Sequence, residues 1–369
     1  MSTTREFVGI VSETSARAGA GGYPCQGLYY RRSDQQPRIA FIATHYQIDF
    51  SQHYLAEYLA ERGFGFLGWN TRYRGYEHQF LLDHALVDIG AGVRWLREVA
   101  GIEKVVILGN SGGGSLMAAY QSQAVEPNVT AAEGMQLARG VDTLSPADGY
   151  VSVAAHLGRP DVLTNWMDAA VIDESDPVRT DPALDLWNPN NGVPYADDFI
   201  IRYRAAQVER NNRITAWAKS ELARMRGLGF YDRPFSVYRT WADPRMVDPS
   251  IEPTKRKPNS CYPGEPRKVN RTAFGIGGQT TLRNWLGMWS LQDSQTRAQP
   301  HLARITVPSL VINANADTGV YPSDAQAMHE ALGATDKESY ELDGDHYFLG
   351  EGQRDTLADL IADWTKRKV

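Results

Sequence analysis

The chain is short of several things, and each shortage removes a class of protein. Of its 369 residues only two are cysteine, Cys25 and Cys261. They make neither a disulfide framework nor a metal-ligand spacing, as expected of a reduced, cytoplasmic protein. No run of about 18 apolar residues occurs, so no transmembrane helix and no membrane association are expected. The opening Met-Ser-Thr-Thr-Arg-Glu-Phe lacks the apolar stretch of a signal peptide. There is no basic excess either: the net charge is −6 and the signs are interspersed, which argues against a nucleic-acid partner. The one basic cluster, Lys255-Arg256-Lys257 with Arg267 and Lys268 nearby, reads as a solvated loop between prolines.

Cofactor signatures are missing as well. No phosphate-binding G-x-x-x-x-G-K-[ST] is present. Gly63, Gly65 and Gly68 match G-x-G-x-x-G literally, but the pattern follows a helix and runs into a strand, the reverse of a dinucleotide site. His329-Glu330 has no second histidine for a zinc helix, and no other cluster has zinc spacing. Neither a metal nor a cofactor is expected.

What remains is ordinary globular composition, 42% hydrophobic and 22% charged, arranged in two textures. Residues 1–156 alternate strand-like and helix-like segments. The strands are expected at 7–11, 26–31, 38–44, 64–69, 104–109 and 150–155, and the helices at 51–62, 83–100 and 112–123. In the second helix Leu86, Ile89, Val93, Leu96 and Val99 recur at helical spacing. Residues 157–300 are rich in Pro, Asn, Asp, Arg and aromatics, and carry six of the nine tryptophans. Helices are expected there near 196–228 and 280–291. From 301 the first texture returns, with strands at 307–313 and 339–342 and helices at 323–332 and 354–366. Strand–helix alternation predicts an α/β fold with a mainly parallel sheet and helices on both faces. The middle segment, at roughly 140 residues, is far longer than a loop and reads as a mainly helical insertion.

The chemistry is concentrated at three loops. Apolar Lys104–Gly109 is followed by Asn110-Ser111-Gly112-Gly113-Gly114, a G-x-S-x-G placed between a strand and a helix. A serine on such a turn presents its hydroxyl at the sheet edge, and small residues around it relieve crowding. The next N–H, that of Gly112, opens a helix and can stabilise an oxyanion. A serine needs a base and an orienting acid. Asp317 follows the strand at 307–313, and His346 lies in Asp343-Gly344-Asp345-His346, before the last helix. Asp343 and Asp345 are expected to shape the turn. Asp161 and Asp168, after the strand at 150–155, are alternative positions for the acid. His45 and His156 end strands and are pocket candidates. His53, His78, His84, His301 and His329 read as surface or packing residues.

This order of motifs resembles the α/β-hydrolase superfamily over residues 1–156 and 301–369. The strand ending at His45, the Arg72-Tyr73-Arg74-Gly75 loop, the Ser111 elbow, the Asp317 loop and the His346 loop match in sequence order. The resemblance implies an eight-stranded, mostly parallel sheet, a Ser111–His346–Asp317 triad, an acyl-enzyme, and a cap formed by residues 157–300 after the sixth strand. It departs from the family after His45, where Tyr46-Gln47 stands in place of a glycine. The second oxyanion N–H is then that of Tyr46 or Gln47, with the Tyr46 phenol as a further donor or a pocket wall.

The expected function is hydrolysis of a carboxylic ester or lactone of a medium-sized, partly hydrophobic small molecule. Hydrolysis of a diketone carbon–carbon bond, or acyl transfer, would use the same triad. A non-catalytic binding protein on this scaffold is the reading from another class. His45, Arg72 and Trp166 are candidate substrate contacts, Arg72 having a structural ion pair as its competing role. The cap aromatics, including Tyr195, Tyr203, Tyr231, Tyr238 and Tyr262, line a cavity or fill a small core. A homodimer is compatible with the sequence.

Overall fold

The computed structural model describes residues 2–11 and 25–369; residue 1 and residues 12–24, part of the expected N-terminal core segment, lie outside them. The strands among the described residues are β1 (Thr3–Ile10), β2 (Cys25–Arg32), β3 (Ile39–Ala43), β4 (Gly65–Asn70), β5 (Lys104–Asn110), β6 (Gly149–Val153), β7 (Pro234–Ser236), β8 (Gln279–Thr281), β9 (Ser309–Ala314) and β10 (Lys337–Leu342). Eight of them form one sheet in the order β1-β2-β4-β3-β5-β6-β9-β10, while β7 and β8 pair separately. β2 is antiparallel to both neighbours, and every other pair in the large sheet is parallel. The expected fold class is therefore the observed one.

Burial explains the order. β4, β6 and β9 are buried at every position and β5 at all but its first, which requires helices on both faces and suits their apolar composition. β1 and β10 are largely solvated and form the edges. Helix Leu82–Glu98 buries Leu86, Ile89, Val93 and Leu96 as its spacing predicts. Val99 breaks the expectation: it lies past the helix end and is exposed. The helix expected over 51–62 begins only at Ala56, because turns closed by His53 N–H to the Phe50 carbonyl and Ala56 N–H to the His53 carbonyl occupy its start. Gly63 precedes β4 rather than opening a helix, which disposes of the dinucleotide pattern.

The described chain divides into two compact units. The first comprises Met1–Gly158, Thr296–Asn315 and Pro322–Val369; the second comprises Arg159–Gln295 and also Ala316–Tyr321. The second is built on helix Asp197–Gly227, with acidic residues in its first turn and Arg224 and Arg226 in its last, both favourable to the helix dipole. Leu186, Tyr195, Phe199, Tyr203 and Ala242 form one of its apolar clusters; Trp166, Trp241, Met246 and Cys261 belong to another. Where a helix was expected over 280–291, one turn at Leu282–Asn284 runs into a π turn at Trp285–Trp289, which buries both tryptophans. Arg256 is not solvated as its charged neighbourhood suggests. It is buried and donates to the Arg245, Asp248, Ile251 and Glu252 carbonyls, gathering a loop that has no ladder of its own.

Candidate active site

The carboxyl ends of parallel strands are where an open α/β sheet presents its loops for chemistry. β5 ends at Asn110, and Ser111 follows with φ of 55°, in the left-handed region that costs a non-glycine residue free energy. Its surroundings hold it there. Ser111 N–H is shared between the Val153 and Ala154 carbonyls (3.3 and 3.2 Å), and Gly114 N–H donates to the Ser111 carbonyl (3.1 Å). The adjacent glycines are compulsory. A Cβ on Gly109 would lie 2.5 Å from Gly114 Cα, one on Gly113 2.4 Å from the Thr44 oxygen, and one on Gly114 2.4 Å from Ala155 Cβ. Gly112 caps helix Gly113–Val125, and its N–H has no backbone acceptor among the described residues.

Behind the serine, Asn110 Nδ2 donates to the Val153 carbonyl (2.9 Å) and Asn110 Oδ1 faces His53 Nε2 (3.3 Å). Leu55 N–H donates to His53 Nδ1, so the ring proton is assigned to Nε2 and the Asn110 oxygen accepts it. Burial pulls the His53 imidazole down to about 4, against the opposing Asn110 hydrogen bond, and His53 is neutral at ordinary pH. It is a packing residue, as expected. Its support of the residue before Ser111 had no signal in the sequence.

β3 ends at Ala43 and carries His45, Tyr46 and Gln47 just beyond it. His45 is buried, and its Nδ1 accepts from Gln47 and Ile48 N–H, both at 3.3 Å. That ring shapes the turn. The Gln47 N–H is thereby directed at His45. The Tyr46 phenol has a partner inside the fold. It is fully buried, hydrogen-bonded to Ser115 Oγ (2.9 Å), and packed on Phe80 at 4.9 Å.

Asp317 lies in the loop leaving β9 and belongs to the second unit. Its side chain is buried, and Oδ1 accepts from Gly319 N–H (2.8 Å), Val320 N–H (3.1 Å) and the Tyr262 hydroxyl (2.8 Å). Three donors therefore converge on that one carboxylate oxygen. His346 is buried in the loop leaving β10, its ring edge-on to Tyr347 at 4.9 Å. Asp345 shapes that loop as expected, accepting Tyr347 and Leu349 N–H on Oδ1. Asp343 accepts Asn315 Nδ2 (2.5 Å).

Two other candidates are placed differently. Arg72 is buried, and its Nε and Nη2 grip the two oxygens of the fully buried Asp88 (2.8 and 2.6 Å). The structural ion pair is what forms, because a buried guanidinium must be neutralised locally. Trp166 packs on Trp241 (4.7 Å) and edge-on to Tyr262 (5.8 Å) inside an apolar cluster of the second unit. Of the alternative acids, Asp168 is fully buried and paired with Arg239 (2.7 Å) and Asn270 (2.8 Å). Asp161 stands in the first turn of helix Arg159–Trp166.

His156 accepts Gly158 N–H and His301 bonds Ser122 Oγ (2.7 Å), each buried. Within the second unit, Trp217, Phe235 and Tyr238 line a cleft of about 580 Å³ together with Arg213 and Arg233. Tyr195 and Tyr203, by contrast, are core residues, and Tyr231 is exposed. No helix among the described residues is long and apolar enough to cross a membrane, and no three acidic, His or Cys side chains gather there to hold a metal.

No protein-family model and no curated protein matches the sequence. Solved structures do. An α/β-hydrolase from Penicillium sp. sh18, GrgF, aligns with a TM-score of 0.54 at 12% identity over 99% of both chains. The protein DcsB, solved in complex with its substrate analogue, aligns at 0.51 and 13% identity, over 94% of this chain and 95% of that one. The likeness is one of fold. With its strand order and single antiparallel strand, it establishes that this chain has the α/β-hydrolase fold.

Proposed function

We propose that this protein is a serine hydrolase that cleaves a carboxylic ester or lactone of a medium-sized, partly hydrophobic substrate through an acyl-enzyme. The observation that carries the reading is Ser111, held at positive φ among glycines that tolerate no side chain, beside a helix N-terminus. Strain of this kind is retained where it serves chemistry. In the proposed cycle His346 takes the Ser111 proton as the hydroxyl attacks the acyl carbonyl, and Asp317 orients and stabilises the imidazolium. The N–H groups of Gly112 and Tyr46 receive the oxyanion. His346 returns the proton to the leaving alkoxide, and a water activated by the same imidazole releases the acid. Residues 157–300 act as the cap, the segment in which we place substrate selection.

The test is labelling with a fluorophosphonate probe, followed by p-nitrophenyl esters of graded chain length beside a panel of lactones. Wild type labels at Ser111, and Ser111→Ala does not. Ser111→Ala and His346→Ala each lower kcat by about three or more orders of magnitude with the fold intact. Wild-type protein that stays unlabelled, or a His346→Ala variant of near-normal kcat, overturns the reading.

A further inference from the structure

Asp317 is served by two donors from its own loop and by one from far away in the chain. Gly319 and Val320 N–H are local; the Tyr262 hydroxyl, at 2.8 Å, comes from the inserted segment. We infer that Tyr262 is a positioning residue for the catalytic acid, fixing the rotamer of the Asp317 carboxylate. The inference rests on Asp317 being the acid of the proposed triad.

The local structure fits that job. Tyr262 sits in a tight turn, Cys261-Tyr262-Pro263-Gly264, closed by Cys261 N–H to the Gly264 carbonyl (2.8 Å) and Gly264 N–H to the Cys261 carbonyl (3.0 Å). Gly264 has φ of 136°, which a side chain would resist. The Cys261 thiol also leans on the Gly264 carbonyl (3.3 Å). The ring is then wedged edge-on against Trp166 (5.8 Å) and Trp241 (6.4 Å). Across from it Gly319 supplies the clearance: a Cβ there would fall 2.6 Å from the tyrosine ring. Turn, wall and clearance order the phenol in advance, so little rotamer entropy is lost in making the bond. Oδ1 is thus held by three donors, and the carboxylate cannot swing about its χ2 without breaking all three. A tyrosine placed only to fill the cluster would have no need to reach a buried carboxylate.

The experiment is a double-mutant cycle on Tyr262→Phe and Asp317→Ala, read by the rate of fluorophosphonate labelling at Ser111 and by kcat and KM on p-nitrophenyl butyrate. Phenylalanine keeps the ring packing, and a thermal melt confirms that the fold survives. Tyr262→Phe is expected to lower kcat and the labelling rate about tenfold with KM little changed, the loss of one hydrogen bond that holds the carboxylate. In the Asp317→Ala background the same substitution is expected to have no further effect, because the group it acts through is gone. Gly319→Ala, which pushes the ring off Asp317, reproduces the Tyr262→Phe defect. Wild-type rates in Tyr262→Phe, or a loss that persists undiminished without Asp317, overturn the inference alone. An Asp317→Ala variant that labels at the wild-type rate overturns the triad reading beneath it.

Discussion

Arg72 offers the sharpest quantitative test, because its two roles predict opposite outcomes. It donates through Nε (2.8 Å) and backbone N–H (3.0 Å) to Asp88 Oδ2 and through Nη2 (2.6 Å) to Oδ1, and Asp88 has no exposed surface. Removing one partner of such a pair leaves an uncompensated charge in a poorly solvated site, which costs about 3–5 kcal/mol. Arg72→Ala is therefore expected to lower the free energy of unfolding by that amount in guanidinium titration, with the slope unchanged. Replacing both members by apolar residues, Arg72→Met with Asp88→Leu, is expected to recover most of the loss, since neither charge then has to be desolvated. In kinetics, KM for a neutral p-nitrophenyl ester and for one carrying a distal carboxylate should change in parallel. A loss below about 1 kcal/mol, joined to a KM raised about tenfold for the carboxylate-bearing ester only, would refute this reasoning and return Arg72 to the substrate site.

Three other outcomes follow from the geometry. Gly113→Ala puts a Cβ 2.4 Å from the Thr44 oxygen at the base of the His45-Tyr46 turn. Overpacking of this kind costs about 1–3 kcal/mol, and a shift of about 1 Å at the proposed oxyanion donors costs about a hundredfold in kcat; wild-type kcat in a folded variant would contradict it. His53 is depressed from 6.5 to about 4 by burial, so the unfolded chain binds the extra proton first and stability falls as pH drops from about 6.5 to about 4. The span corresponds to about 3 kcal/mol, and His53→Asn should flatten that part of the unfolding profile relative to wild type; superimposable profiles would refute the assignment. Both cysteines are buried, and burial pushes the Cys261 thiol up to about 11. Neither should react with a disulfide reagent until the protein is denatured, when two thiols appear.

The strands and the elbow were legible because their causes are local. An apolar run such as Val105–Leu108 reads as a strand buried on both faces, and glycines at 109, 112, 113 and 114 around Ser111 fit a crowded turn. The loops bearing Asp317 and His346 were legible by their order after strands. The side-chain partners were not. Nothing within a few residues of Arg72 announces Asp88, sixteen positions on, and nothing near Arg256 announces the carbonyls that bury it. Tyr46 read as an oxyanion residue with its phenol as a further donor or a pocket wall, and nothing near it in the sequence announces Ser115, on the helix after the elbow, as the partner of that hydroxyl.

The sequence by itself determined the strand–helix alternation, the glycine-flanked turn at Ser111 and the chain order of the three candidate catalytic loops, since periodicity and glycine stereochemistry act over a few residues. Only the tertiary structure decided which charges neutralise one another and which turn residues support others. It alone gathered Ala316–Tyr321 with the inserted segment and brought Tyr262 onto Asp317, fifty-five positions away. Hydrogen bonds and ion pairs are satisfied by whatever lies within about 3 Å once the chain has folded, and that proximity is not encoded in any local pattern.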